Sequence, residues 1–158
     1  GMLPGFDGDH RTQTATLTFN DSGRFEDRWV HLGVNRSSPC VFTRGLDPMP
    51  LPIRHGEGKI FTLDRDLLER LEAEGCVACR YIDPDTGEPT QKFPHNPNGS
   101  LHAIAGLCDP TGRVFGLMPH PERNTRPEHH PDWRSRKLTR PDGIAIFENA
   151  VSYAKENL

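Results

Sequence analysis

Residues 103–123, AIAGLCDPTGRVFGLMPHPER, carry the clearest indication of the fold. Two apolar runs, 103–108 and 114–118, are separated by Asp-Pro-Thr-Gly at 109–112, a sequence typical of a tight turn. Short apolar runs joined by such a turn favour two antiparallel strands that enter the core. The stretch therefore predicts a hairpin whose second strand ends at His120-Pro121-Glu122.

The polar segment after this hairpin carries a histidine and a glutamate two residues apart. Pro121 restrains His120 to an extended conformation, and Pro119 fixes its own φ. Residues two apart in an extended segment project to the same side, so we expect His120 and Glu122 to lie within about 3–4 Å of each other. A carboxylate beside an imidazole sets its tautomer and stabilises its charged form. The pair predicts the base and orienting acid of a nucleophilic triad, against the structural alternative of two polar residues in a surface loop.

The context of this pair resembles the class I glutamine amidotransferases, whose catalytic strand ends in His-Pro-Glu. The longer form MPHPER (118–123) is similar to one branch of that family, the glutaminases of phosphoribosylformylglycinamidine synthases. Three further segments resemble the same branch in the same order: NDSGRFEDRWV (20–30), PIRHGEG (52–58), and NPNGS (96–100) followed by IAG (104–106). Four motifs in order are far more specific than one.

The resemblance implies an α/β fold, namely the C-terminal portion of a flavodoxin-like class I amidotransferase domain with a mixed sheet. It implies that His120 is the base and that Glu122 orients it. In this family a cysteine thiolate attacks the side-chain amide of glutamine, which releases ammonia and then glutamate. The ammonia passes to a partner synthetase that uses ATP in purine synthesis. ATP and Mg are therefore expected only in that partner, with no cofactor or metal in this chain.

The sequence departs from the family at the nucleophile. The family's cysteine lies in a Gly-x-Cys-Asn-Gly-Phe-Gln motif, which these residues lack, and the segment 3–5 resembles the part that follows it. We therefore expect a single partial domain, 1–158, without the N-terminal strands and the nucleophile elbow, and inactive on its own. The alternative is a non-catalytic remnant or binding module on the same scaffold. No cysteine has the Gly-x-Cys-x-Gly context of a nucleophile, so buried reduced thiols are expected. These cysteines are Cys40, Cys76, Cys79 and Cys108.

The remaining periodicity predicts further strands and two helices. Strands are expected at 14–19, 25–34, 40–43 and 76–82. A helix is expected over 64–74 because its leucines share one face and Gly75 supplies a stop. A closing helix is expected after Asp142, with an apolar stripe of Ile144, Phe147, Val151 and Ala154.

Three other segments suggest sites. His55 and Glu57, flanked by glycines, form a possible auxiliary acid–base or binding pair, or a turn with a satisfied histidine. The spacing of Cys76 and Cys79 is half of a zinc site, but strand neighbours three apart face opposite ways, so no metal is expected. The basic loop 123–140 favours a solvated or partner-facing surface over a phosphate or nucleic-acid site.

Composition limits the partners. The formal net charge of −3 predicts no general attraction to nucleic acid or anionic lipid, and no apolar run approaches the roughly 18 residues of a membrane helix. The expected location is cytoplasmic. A sheet without its first strands would expose an apolar face, which we expect to be covered by self-association, by N-terminal residues or by a partner.

Overall fold

A computed structural model describes residues 1–157. It contains two α-helices, α1 at Arg65–Ala73 and α2 at Ile144–Asn157. The strands are β1 Ala15–Phe19, β2 Glu26–Val34, β3 Met49–His55, β4 Glu57–Thr62, β5 Val77–Ile82, β6 Ile104–Cys108 and β7 Phe115–Leu117. The predicted α/β class is confirmed.

The strands form two sheets. One has five strands in the order β3-β2-β5-β6-β7, and the other pairs β1 with β4. Every strand pair within residues 1–157 is antiparallel, whereas a mixed sheet was expected. The predicted hairpin is present as β6 and β7, where Gly106 lies opposite Leu117 and Cys108 lies opposite Phe115.

The five-stranded sheet curls until its two ends meet. The amide of Met118, just beyond β7, donates to the carbonyl of Ala105 at 2.9 Å. Two residues later, the amide of His120 donates to the carbonyl of Pro52 on β3 at 2.8 Å. The curl encloses a buried core to which α2 adds Ile146. The strand residues of this core are Val30, Leu32, Met49, Leu51, Ile53, Cys79, Tyr81 and Ala105.

A second core lies under α1. This helix begins at Asp64, whose carboxylate accepts from the amide of Leu67 at 2.8 Å, and Gly75 follows it with φ of 68°. Both features satisfy backbone groups at helix ends, so the predicted helix is confirmed. Its buried leucines pack with residues of β4, β5 and β6. The buried members are Phe6, Ile60, Leu68, Leu71, Cys76, Val77, Ile104 and Leu107.

Two predictions about secondary elements were wrong. Residues 41–45 form a turn rather than a strand, because the amide of Val41 donates to Gly112 and that of Leu46 donates back to Thr43. The stripe predicted for α2 does not face the core, since Phe147 and Val151 are exposed and Ile146 is buried.

Candidate active site

His120 and Glu122 are joined at the end of β7. Nδ1 of His120 lies 2.7 Å from Oε1 of Glu122, so the predicted contact is present. His120 has φ of −102° and ψ of 88°, which lies outside the extended region that was predicted, and Pro121 then opens a short 3-10 turn that brings Glu122 back beside the ring. The catalytic roles of the two residues remain a prediction.

The contact decides which nitrogen of His120 carries the hydrogen. A carboxylate only accepts hydrogen bonds, so Nδ1 is the donor and, in the neutral ring, Nε2 carries the lone pair. Nε2 is buried, and no donor among residues 1–157 reaches it. An imidazole oriented by a carboxylate and presenting a bare Nε2 is the arrangement that a general base needs.

The second predicted pair, His55 and Glu57, is separated. His55 is buried at the end of β3, whereas Glu57 is exposed at the start of β4, where it pairs with Phe19. No hydrogen bond or ion pair joins the two side chains within the part of the chain that the structure describes. Nδ1 of His55 lies instead 2.9 Å from Oδ1 of Asn20.

Asn20 and Glu26 lie beside His55, and sequence reasoning did not single them out individually. The Asn20 amide nitrogen donates to the carbonyls of Arg24 and His55, each at 2.8 Å. Glu26 is buried directly opposite His55 in the β2–β3 pair and forms an ion pair with Arg28 at 2.5 Å. Both residues lie in the motif 20–30, and a polar residue that becomes buried was the available signal.

The electrostatics of His55 favour a neutral ring. Burial lowers its pKa, and protonation of His120 would lower it further. Glu26 acts in the opposite direction and has the smaller effect.

The four cysteines are buried free thiols, as predicted. The pKa of Cys40 is raised by its hydrogen bond with Cys108 and by burial, and burial raises that of Cys79. The hydrogen bond with Cys108 lowers the pKa of Cys76, but that thiol is fully buried beneath α1. None of these sulfurs hydrogen-bonds to Nε2 of His120.

Metal-binding residues do not gather around the Cys76–Cys79 segment. Cys79 on β5 and Cys76 just before it belong to different buried cores. Residues 1–157 contain no group of three or more His, Cys, Asp or Glu side chains placed to share a metal ion.

The basic loop folds against the outer face of β2 and β3. The ring of His130 lies 4.6 Å from that of Trp29, and Asn124 donates to the carbonyl of Pro50. A cleft of about 500 Å³ lies beside it. Its lining is Asp27, Trp29, Pro52, Arg54, Glu122, Arg123 and His129.

Within residues 1–157, no helix has both the length and the apolar character required to span a bilayer.

Comparison with known proteins identifies relatives among the glutamine amidotransferases. A family model described as a CobB/CobQ-like glutamine amidotransferase domain matches residues 1–154. Phosphoribosylformylglycinamidine synthase subunit PurQ of Dehalococcoides mccartyi is 45% identical over 157 residues, which cover 99% of this chain and 58% of that protein. The subunit of the same name from Archaeoglobus fulgidus is 38% identical over 164 residues, with the same two coverages. This chain thus spans little more than half the length of these relatives.

A solved structure is also similar. The structure of PurLQS from Thermotoga maritima matches with a TM-score of 0.63 and 28% sequence identity. The match covers 92% of this chain and 55% of that chain.

Proposed function

Because the chain belongs to the family of CobB/CobQ-like glutamine amidotransferase domains, we propose that it is part of the glutaminase of a phosphoribosylformylglycinamidine synthase. Its contribution to glutamine hydrolysis is the base and the acid that orients it. The names of the relatives from Dehalococcoides and Archaeoglobus support this assignment. The observation that carries it is the 2.7 Å contact between Nδ1 of His120 and Oε1 of Glu122, with Nε2 left unpartnered.

In this reaction Nε2 of His120 takes the proton of a cysteine thiol. The thiolate attacks the side-chain carbonyl carbon of glutamine, and the carbon–nitrogen bond breaks as the imidazolium returns its proton to the leaving nitrogen. Water then hydrolyses the thioester and releases glutamate. Glu122 stabilises the imidazolium through the Nδ1 hydrogen bond and does not itself take a proton.

The nucleophile must come from polypeptide other than the described residues. No thiol of residues 1–157 reaches Nε2 of His120. The partner that consumes the ammonia is a synthetase, which would supply the ATP and Mg that this part of the chain is not expected to bind.

An apolar cleft next to β7 supports the expectation that part of this surface is covered by another molecule. It measures about 450 Å³ and lies between β1 and the β6–β7 hairpin, and Leu17 at its rim is 48% exposed. Its apolar lining includes Leu3, Leu17, Ile60, Leu107, Leu117 and Met118. Exposed apolar surface favours association, so self-association through this cleft is part of the proposal. Sedimentation at increasing concentration tests it, with a monomer at all concentrations as the contrary result.

The test of the catalytic assignment is a fusion of this chain to the remainder of the Dehalococcoides relative, assayed for glutamate release from glutamine. The chain offers a matched control for the base, because Nδ1 of His102 lies 3.1 Å from Oε1 of Glu72 on the surface. We expect His120→Asn to abolish turnover and His102→Asn to leave it unchanged. Asparagine suits both positions, since it tolerates the positive φ of 49° at residue 102.

Two results would overturn the assignment. One is a folded fusion that releases no glutamate. The other is a fusion whose turnover survives His120→Asn.

A further inference from the structure

Two buried imidazole nitrogens have no donor among residues 1–157, Nε2 of His120 and Nε2 of His55. A buried acceptor without a donor costs about 1–3 kcal/mol. Such atoms are few in native proteins, and each requires an explanation. Glutamine hydrolysis accounts for Nε2 of His120, whereas Nε2 of His55 has no role in that scheme.

Asn20 fixes the tautomer of His55. Its amide nitrogen donates to two carbonyls, those of Arg24 and His55, so its oxygen must be the atom that faces Nδ1 of His55 at 2.9 Å. An amide oxygen accepts only. Nδ1 of His55 therefore carries the hydrogen, and Nε2 of the neutral ring presents a lone pair.

His55 and His120 share one neighbourhood. The amide of His120 is bonded to Pro52 on β3, the strand that ends at His55. A positive charge on His120 would lower the pKa of His55, whereas Glu26, directly opposite His55, raises it. Gly58 leaves room for the ring, because a Cβ at that position would lie 2.5 Å from Cε1 and Nδ1 of His55.

We propose that Nε2 of His55 accepts a hydrogen bond from the ammonia that leaves glutamine, and so holds it as a neutral molecule beside the reaction centre. The proposal rests on the glutaminase function above and gives a role to a residue outside the His120–Glu122 pair. No proton moves in this contact. Ammonia keeps its three hydrogens, and His55 keeps its hydrogen on Nδ1.

The charge state of His55 suits that role. Ammonia is a stronger base than imidazole, so a cationic histidine would convert it to ammonium, which has no lone pair with which to attack a second substrate. Burial lowers the pKa of His55 and keeps the ring neutral at pH 7. A neutral ring accepts from ammonia without protonating it.

The test uses the ¹⁵N-labelled full chain and two-bond ¹H–¹⁵N correlation spectra of its imidazole rings. Ammonium chloride is titrated at a pH above the pKa values of both ammonium and trimethylammonium, and trimethylamine at the same pH is the control. Neutral trimethylamine has a lone pair but no N–H group, so it is unable to donate. We expect His55 to be in the Nδ1–H form, and its Nε2 resonance to shift saturably with ammonia and not with trimethylamine.

Variants at His55 assign the resonance and separate binding from folding. In His55→Asn the amide of the new side chain can still donate to Asn20. The acceptor Nε2 is gone, so the ammonia-dependent shift should disappear. His55→Gln provides the assignment if His55→Asn does not fold. An Nε2–H tautomer, no shift, or equal shifts with both amines would overturn the proposal. The spectra require no hydrolysis, so this result is independent of the glutamate assay on the fusion.

Discussion

The amide of His120 donates a 2.8 Å hydrogen bond to the carbonyl of Pro52. This contact ties the end of β7 to β3, although β3 and β7 are the outer strands of the five-stranded sheet. Two segments that are 68 residues apart in the sequence are thereby brought together (120 − 52). The candidate base consequently lies beside the strand that carries His55, and the curl of the sheet is a precondition for the site.

Removing the charge of Glu122 should impair catalysis without displacing the ring. Glu122→Gln keeps the size of the side chain but no longer fixes Nδ1 of His120 as a donor. Loss of the orienting carboxylate in a triad of this kind lowers turnover by as much as about 10⁴-fold. We expect a fall of roughly 10²–10⁴ in the rate of glutamate release by the fusion.

Glu72 supplies the control for that measurement, because it too contacts Nδ1 of a histidine, that of His102, while its other carboxylate oxygen pairs with Arg80. Glu72→Gln should leave the rate within a factor of two or so of the parent, since exposed pairs contribute little. Equal effects of the two substitutions would show that Glu122 has no special role.

Stability should fall as the pH is lowered from 7 to 5. Burial lowers the pKa of His31, His55 and His130 in the folded chain. The unfolded chain then binds more protons below about pH 6.5, the ordinary pKa of histidine. The stability that these histidines contribute by staying neutral in the folded chain is complete above about pH 6.5. It is lost as the pH falls toward their folded-state pKa values.

Urea unfolding at several pH values measures this effect. Of the three histidines, His55 is one of the two that are buried and is the one whose pKa the charge of His120 also lowers. His55→Asn should therefore flatten the dependence between pH 7 and pH 5, whereas His102→Asn should leave its slope unchanged. A parent protein whose free energy of unfolding is constant over this range would contradict the expected sign.

Asp109 should be the most sensitive position of the β6–β7 hairpin. Its carboxylate accepts from the amides of Val114 at 2.8 Å and Thr111 at 3.2 Å, and also from the Thr111 hydroxyl at 2.5 Å. Burial opposes its ionisation, but these hydrogen bonds outweigh burial and lower its pKa. Asp109→Ala leaves donors unpaired and should cost about 1–3 kcal/mol of unfolding free energy.

Asp47 is the matched control for this substitution, because its ion pair with Arg36 is exposed. Asp47→Ala should change the free energy of unfolding by no more than about 0.5 kcal/mol in the same denaturant titration. If the two variants are equally stable, the hydrogen bonds of the Asp109 carboxylate contribute nothing to the free energy of unfolding.

Local patterns predicted the hairpin, α1 and the contact between His120 and Glu122, because tight turns, caps and two-residue spacing act between residues close in sequence. Sequence reasoning failed where distant contacts decide the structure. The segment 41–45 became a turn through a bond to Gly112, and His55 turned toward Asn20 rather than Glu57. Neither partner is encoded by local spacing, since each is brought into place by the pairing of strands far apart in the sequence.

The chain by itself should not hydrolyse glutamine. The four thiols are buried, and none hydrogen-bonds to Nε2 of His120, so the base has no nucleophile to activate among residues 1–157. Loss of the nucleophile from a triad lowers turnover on the order of 10⁶-fold. We therefore expect no measurable release of glutamate from glutamine by the purified chain at neutral pH, with or without the His120→Asn substitution. Turnover that is abolished by His120→Asn would show that Cys40, Cys76, Cys79 or Cys108 moves to reach the base. Single Cys→Ser variants would then identify which one.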